Sequence, residues 1–260
     1  MYQIISDFKE YWGYTVQAAK SQLKAEVANS YLNWIWWILE PFALMLIYVV
    51  MFGFVFGMTE EYYPAFIFLG LTLWRFFSKC AQGSTTLVRN NAATVSKVYI
   101  PKYFLIIQLF MVNGFKMVIC FIVLFGLMVV YRVPFTPMML LAIPGLAVFL
   151  LITFGVCTFL LNFGVFIEDL SNATSIVLSF LVYATGTFYN IDTRIPAPFN
   201  LVLGRMYPIG YLVGFMRKVM LYNELPDMKL LLFWGVVGFV LSLQGIFLIY
   251  KNENSYIKVI

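Results

Sequence analysis

The stretch WIWWILEPFALMLIYVVMFGFVFGM, residues 34–58, decides the fold class of this chain. Its single charged residue is Glu40, close to its amino end. A helix needs about 20 mainly apolar residues to cross the hydrocarbon core of a bilayer, where no water satisfies free backbone groups. The tryptophans Trp34, Trp36 and Trp37 are typical of a membrane interface. The stretch therefore predicts a membrane-spanning helix that enters the bilayer near its amino end.

The rest of the chain carries more apolar runs of this kind. Of its 260 residues, 62% are hydrophobic and 11% are charged, whereas a soluble domain has about 25% charged residues. No segment shows the alternation of apolar and polar residues over about ten positions that a membrane strand barrel requires. We therefore predict an all-α integral membrane protein with one membrane domain, residues 1–260, and six transmembrane helices. The predicted spans are residues 34–58, about 63–80, 103–130, 138–166, 174–190 and 230–250.

Two further segments are predicted to lie at the membrane surfaces. Residues 3–27 place apolar side chains at three-to-four spacing with charges between them, which predicts an amphipathic interfacial helix. Residues 191–228 are too apolar for a free loop and too rich in proline for a span. This pattern predicts re-entrant outer helices over a pathway, because irregular backbone at membrane depth needs protein or water around it. A simple hairpin lying on the surface is the alternative.

The distribution of lysine and arginine predicts the orientation, because loops in the cytoplasm carry the excess of these residues. The first outer loop contains the acids Glu60 and Glu61 and no base. Both termini are therefore predicted to be cytoplasmic. The basic residues on that side are Lys9, Lys20, Lys24, Arg89, Lys97, Lys102, Lys251 and Lys258.

No motif in the chain supplies energy for transport. Ion-coupled carriers usually bury Asp, Glu or His within their spans, but this chain has no histidine and its acids lie near the predicted span ends. The G-x-x-x-x-G-K-[ST] phosphate loop is absent from the sequence, and the connecting segments are too short for a nucleotide-binding domain. Any ATP hydrolysis is therefore expected on a separate chain, with no catalytic residue, metal or cofactor in this one.

A polar and basic island, RNNAATVSKVYIPKYF at residues 89–104, follows the second predicted span. It lies on the predicted cytoplasmic side and links two spans. A helix of about three turns there would be rigid enough to transmit a push. Residues 89–102 are therefore predicted to couple the chain to an ATPase.

The stretch LWRFFSKCAQGSTTLVRNNAATVSKVYIPKYF, residues 73–104, resembles part of the permease subunits of ABC exporters for O-antigen, capsule and teichoic acid. In that family a W-x-FF stretch leads to N-A-x-x-x-x-K-V-Y-x-P. Weaker resemblances lie at residues 31–56 and 205–227, and Arg75 departs from the family, which usually has an uncharged residue there. The matching residues are Trp74, Phe76, Phe77, Asn91, Ala92, Lys97, Val98, Tyr99 and Pro101.

The resemblance implies a function as well as a fold. It implies a permease that exports a lipid-linked polysaccharide or teichoic acid across the bacterial cytoplasmic (inner) membrane. The implied partners are a second copy of the chain, two copies of a nucleotide-binding ATPase that hold ATP and magnesium, membrane lipids and the glycan, with no nucleic acid. The residues implied to contact the ATPase are Asn91, Ala92, Lys97, Val98, Tyr99 and Pro101.

Two other functions stay open at the level of sequence. An ABC exporter permease of similar build could move drugs or simple lipids. A membrane-embedded transferase would need a general base or metal ligands, and the chain offers neither histidine nor clustered carboxylates apart from Glu168 and Asp169.

Basic and aromatic residues within the spans are the candidates for the substrate pathway. Lys116 lies about 13 residues into its predicted span, roughly 20 Å from one end and so near the midplane. Arg75 and Lys79 share one helix face, and long basic side chains could instead extend to the headgroups. We predict that Arg75 and Lys116 attract phosphate groups of a lipid-linked glycan. Aromatic rings could stack on sugar faces or simply pack between helices, and the lining candidates are Trp34, Trp37, Phe76, Tyr183, Phe188 and Tyr189.

Overall fold

The computed structural model describes residues 2–28, 33–57, 60–95 and 100–259, and regular structure in these ranges is entirely helical. The all-α prediction is therefore confirmed. The helices are α1 (Tyr2–Ala28), α2 (Asn33–Tyr48), α3 (Tyr63–Asn90), α4 (Ala92–Val95), α5 (Tyr103–Val130), α6 (Ala142–Phe166), α7 (Leu170–Ala184), α8 (Ile191–Arg194), α9 (Phe199–Leu201), α10 (Pro208–Arg217) and α11 (Met228–Val259). Wider π-helical turns extend α2, α9 and α10 through Val49–Val55, Val202–Met206 and Lys218–Tyr222, and a 3₁₀ turn, Pro137–Leu141, precedes α6.

Within the described residues, four segments are long and apolar enough to cross a membrane. They coincide with the first, third, fourth and sixth predicted spans. The other two predicted spans differ from these, since α3 carries Arg75, Lys79 and Arg89 in its second half and α7 has only 15 residues. The chain is thus a multi-pass helical membrane protein, and the count of six spans stays a prediction. The four segments are Trp34–Val55, Tyr103–Val130, Pro137–Phe166 and Met228–Glu253.

Helix α3 lies at the centre of the bundle. Its apolar residues from Ala65 to Leu69 are almost completely buried, and it packs against α2, α5, α6 and α7. A helix surrounded by other helices can carry polar residues because protein groups, rather than lipid, surround them. This position explains how α3 tolerates a composition too polar for a lipid-facing span.

Helix α1 agrees closely with the predicted amphipathic segment and packs along α5. The Tyr11 ring lies 5.7 Å from that of Phe104, and Gln108 donates a hydrogen bond of 3.1 Å to Gln22. These contacts run from the first turn of α5 toward its middle. The apolar stripe of α1 is therefore buried on α5, while its place at the membrane interface stays a prediction.

Helix α7 ends at Ala184, whereas the predicted span extended to residue 190. The chain turns away at Gly186, whose φ is +65°. Arg217 from α10 donates to the carbonyl oxygens of Gly186 and Thr187, at 2.7 and 2.8 Å, and so fixes this turn. The segment 191–228 contains the short helices α8, α9 and α10, and its predicted re-entrant arrangement on the outer side stays a prediction.

The polar island is built from the ends of two long helices and one short turn. Helix α3 continues to Asn90 and α4 adds one turn, so a separate three-turn helix does not occupy the described part of the island. Arg89 donates to the carbonyl oxygen of Gly164 at 3.2 Å. At the other end Lys102 is buried and pairs with Glu253 at 2.9 Å. Both ends of the island are therefore fixed to the bundle.

Candidate functional site

A cavity of about 190 Å³ lies between α2, α3 and α5, and three basic side chains line it. Arg75 and Lys79 come from neighbouring turns of α3, and Lys116 comes from α5. Glu40 of α2 is the acid in its wall. The structure thus brings together the two basic residues predicted to bind phosphate, Arg75 and Lys116, which are far apart in sequence.

Arg75 is held by an ion pair across the cavity. Its Nη2 donates to Oε2 of Glu40 at 2.8 Å, and the two side chains are 23% and 55% exposed. The guanidinium of Arg75 is less exposed than the carboxylate of Glu40, but it is still partly open to solvent. Arg75 therefore lies at the cavity surface and is not enclosed by protein.

Lys116 lies beside Trp37, one of the tryptophans predicted to lie at the membrane interface. Its Nζ is 2.6 Å from Oε2 of Glu26 on α1 and 5.4 Å from the ring centre of Trp37. Helix α5 has 28 residues and Lys116 is the fourteenth of them, about 20 Å from each end at 1.5 Å per residue. Its position near the midplane of a bilayer stays a prediction.

The cavity continues into an open groove of about 450 Å³ between α2, α3 and α7. Glu40, Arg75 and Lys79 line both spaces. Aromatic rings and hydroxyl groups both line the groove. Those side chains are Tyr48, Trp74, Tyr183, Ser78, Ser175 and Ser179.

The serine hydroxyls of the groove present acceptors to it. Ser179 donates to the backbone oxygen of Ser175 at 2.9 Å, and Ser78 donates to that of Arg75 at 3.2 Å. Because the hydroxyl protons of Ser78 and Ser179 are used in this way, the lone pairs of these two oxygens remain to accept hydrogen bonds. Sugar hydroxyl groups are donors that such a surface can bind.

The predicted aromatic lining residues occupy different places. Trp37 and Phe76 line the cavity and Tyr183 lines the groove. Trp34 is exposed on α2 outside both spaces. Phe188 is fully buried, with its ring stacked 5.0 Å from that of Phe52, and Tyr189 donates to the backbone oxygen of Tyr183 at 2.6 Å. The roles of all six stay predictions.

Sequence reasoning missed the acids and the serines of this site. Glu40 was placed near a span end and Glu26 was given no role, since nothing local in the sequence shows which base each carboxylate meets. The serines of α7 carried a readable signal. Ser171, Ser175 and Ser179 recur at every fourth position, which places them on one helix face.

The predicted ATPase contacts lie at the opposite end of α3 from the outer segment. Asn91 donates from its side chain to the backbone oxygen of Leu87 at 2.8 Å, Ala92 begins α4, and Pro101 is buried before α5. Lys97, Val98 and Tyr99 lie outside the described residues. The coupling role of the segment stays a prediction.

The comparisons with known proteins bear on this geometry. No family model matches the chain. It is 24% identical, over 241 residues and 93% of both chains, to the O-antigen export system permease protein RfbA of Myxococcus xanthus. The resemblance to ABC polysaccharide exporter permeases is confirmed. Because the match runs nearly the whole length of both chains, it concerns the whole membrane bundle and not a single helix.

Proposed function

We propose that this chain is the permease subunit of an ATP-driven ABC transporter that exports a lipid-linked polysaccharide, such as O-antigen or capsule, or a teichoic acid. The observation that carries the proposal is the basic cavity that opens into a groove of aromatic rings and hydroxyl groups. A substrate with an anionic phosphate end and a neutral sugar chain has matching chemistry. The similarity to an O-antigen export permease supports the same class.

In this proposal the basic side chains bind the phosphate of the lipid carrier. Arginine can grip two phosphate oxygens at once, and a nearby ammonium group adds a point charge. The sugar chain then follows the groove, where Trp74 and Tyr183 offer ring faces and Ser179 offers an acceptor. No single contact in the groove is strong, which suits a polymer that has to slide.

The proposal includes a homodimer with two ATPase chains, which bind ATP and magnesium. The groove is open on one side in the single chain, and exposed apolar side chains of α2 and α7 border it. A second copy would cover these faces and close the groove into a channel. The ATPase would act on the cytoplasmic island at residues 89–102, whose two ends are fixed to α6 and α11.

Export by the reconstituted complex tests this function. The chain and its ATPase are placed in vesicles with a lipid-linked glycan, and outward transfer is measured with ATP present. We expect Arg75→Gln with Lys116→Gln to lower the initial rate at least about tenfold, since both phosphate contacts are lost. Lys20→Gln, which removes an exposed charge from α1, is the matched control and should export normally.

Two results would contradict the proposal. One is export by the double variant at the control rate, which would remove the basic cavity from the pathway. The other is transport that needs no ATPase chain, which would remove the coupling role of the island.

A further inference from the structure

We propose that Glu26 and Glu40 are resident counter-ions of the basic cavity, which a phosphate or diphosphate group displaces when it binds. This inference rests on the proposed function and concerns the regulation of the same site. It assigns a role to two carboxylates that lie on α1 and α2, the helices on the outside of the cavity.

The geometry shows that both phosphate-binding candidates are already occupied. Arg75 pairs with Glu40 at 2.8 Å and Lys116 pairs with Glu26 at 2.6 Å. A phosphate oxygen would need the same donor atoms at the same distances. Carboxylate and phosphate therefore compete for each base, and a tightly bound phosphate cannot coexist with both pairs.

The exposure of the pairs shows that they can be exchanged. The four side chains are between 23% and 55% exposed, and ion pairs in contact with water contribute little net stability. The buried pair of Lys102 and Glu253 provides the contrast, with 1% and 10% exposure. Compared with the Lys102–Glu253 pair, the cavity pairs are therefore weak enough for a ligand to replace.

The charge balance favours the exchange. Arg75, Lys79 and Lys116 contribute three positive charges, against two negative charges from Glu26 and Glu40. In the resting state a phosphate approaches a cavity whose net charge is close to zero, and Glu40 repels it. After both carboxylates move away, the phosphate contacts all three basic side chains. The two acids therefore discriminate between anions. A weakly charged anion does not displace them, whereas a multiply charged anion does.

The exchange also acts on the helices that carry the acids. Glu26 ties the end of α1 to α5, and Glu40 ties α2 to α3. Loss of both pairs would remove one polar link from each of these helices to the bundle. Binding of the phosphate would therefore change the contacts of α1 and α2 as well as those of the bases.

The test is the affinity of purified chain in phosphatidylcholine nanodiscs, measured by calorimetry with two probes. One probe is inorganic pyrophosphate, and the other is a polyprenyl diphosphate in the bilayer. We expect Glu26→Gln and Glu40→Gln each to tighten binding about threefold to tenfold, because a competing negative charge is removed. Glu10→Gln, which removes an exposed acid from α1, is the control and should bind like the parent.

The outcomes separate this inference from the proposed function. Parent-like or weaker binding by both glutamine variants, with Arg75→Gln still weakening it, would overturn the counter-ion role and leave the phosphate site intact. No binding of either probe to the parent chain would overturn the site itself. Tightening with both probes supports the inference for phosphate in general, and tightening with the lipid probe alone supports it for a headgroup. Melting curves confirm that each variant is folded.

Discussion

Arg217, at the end of α10, joins α10, the first turns of α3 and the turn after α7. It is 4% exposed, and its guanidinium donates to the backbone oxygens of Phe66, Gly186 and Thr187 at 2.7 to 3.3 Å. The same group lies 3.4 Å from the ring centre of Phe66. Gly70 makes room for it, since a Cβ there would be 2.5 Å from Nη2. One side chain thus fixes the outer segment to α3 and to the turn after α7.

Replacing Arg217 with glutamine should destabilise the protein strongly. The shorter side chain leaves buried carbonyl oxygens without donors, at a cost of about 3 kcal/mol in the free energy of unfolding. The measurement is unfolding by denaturant in detergent, followed by circular dichroism. Arg205→Gln, at an exposed position of the same segment, is the control and should stay within about 0.5 kcal/mol of the parent. Equal stability of the two variants would show that Arg217 is not a structural link.

At the scale of elements, buried polar groups connect the island to α1, α6 and α11. Lys102, near the end of the island, pairs with Glu253 of α11. Asp7 of α1 accepts hydrogen bonds from Tyr103 and Tyr250, at 3.1 and 2.5 Å. Asn162 of α6 in turn accepts from Asn252 and Tyr256, both at 2.7 Å. Displacement of the island would therefore be passed to three helices through short, directional contacts.

The buried ion pair of Lys102 with Glu253 and the cavity ion pair of Lys116 with Glu26 should lose different amounts of stability when the lysine is replaced by methionine. Lys102→Met leaves Glu253 buried beside an apolar side chain, which we expect to cost about 3 to 5 kcal/mol of unfolding free energy. Lys116→Met breaks a pair in contact with water and should cost less than about 1 kcal/mol. Denaturant unfolding of both variants gives the comparison.

A second variant separates charge burial from packing at this position. Lys102→Met with Glu253→Gln removes both charges, and we expect it to regain much of the stability lost by the single change. A double variant as unstable as Lys102→Met would indicate that packing, and not the ion pair, decides the effect.

At the scale of the whole molecule, two of the helices that line the groove also expose large apolar side chains. Phe54, in the π-helical extension of α2, is 89% exposed, and Phe180 of α7 is 74% exposed. Other exposed apolar residues lie on α5, α6 and α11. Helices α2 and α7 differ from α6 and α11 because they also line the open groove, whose polar groups lipid chains do not satisfy.

Cysteine cross-linking tests whether a second copy covers this face. The three native cysteines are buried, so an introduced one reacts against a low background. We expect Phe180→Cys chains in membranes to form covalent dimers with a short bifunctional reagent. Phe247→Cys, at a residue of α11 that is 67% exposed, is the matched control and should stay mostly monomeric. Equal dimer yields at both positions would argue against the proposed arrangement.

Local properties of the chain were enough to predict much of this architecture. The length of an apolar run, the tryptophans at its end and the spacing of apolar residues depend only on neighbours in sequence. They predicted the all-α membrane class, the bounds of α1 and four apolar spans that the structure contains. The predicted end of the fifth span was wrong because the turn at Gly186 depends on Arg217, which lies 31 positions further along the chain.

The sequence by itself determined that the chain is a helical membrane protein and which of its residues are unusual there, because a bilayer selects on composition and run length. Only the tertiary structure decided what those residues do. Arg75 meets Glu40 across 35 positions, and Lys102 meets Glu253 across 151. The sequence shows which residues are charged. The partner of each charge depends on which helices pack together, and packing is a property of the whole fold.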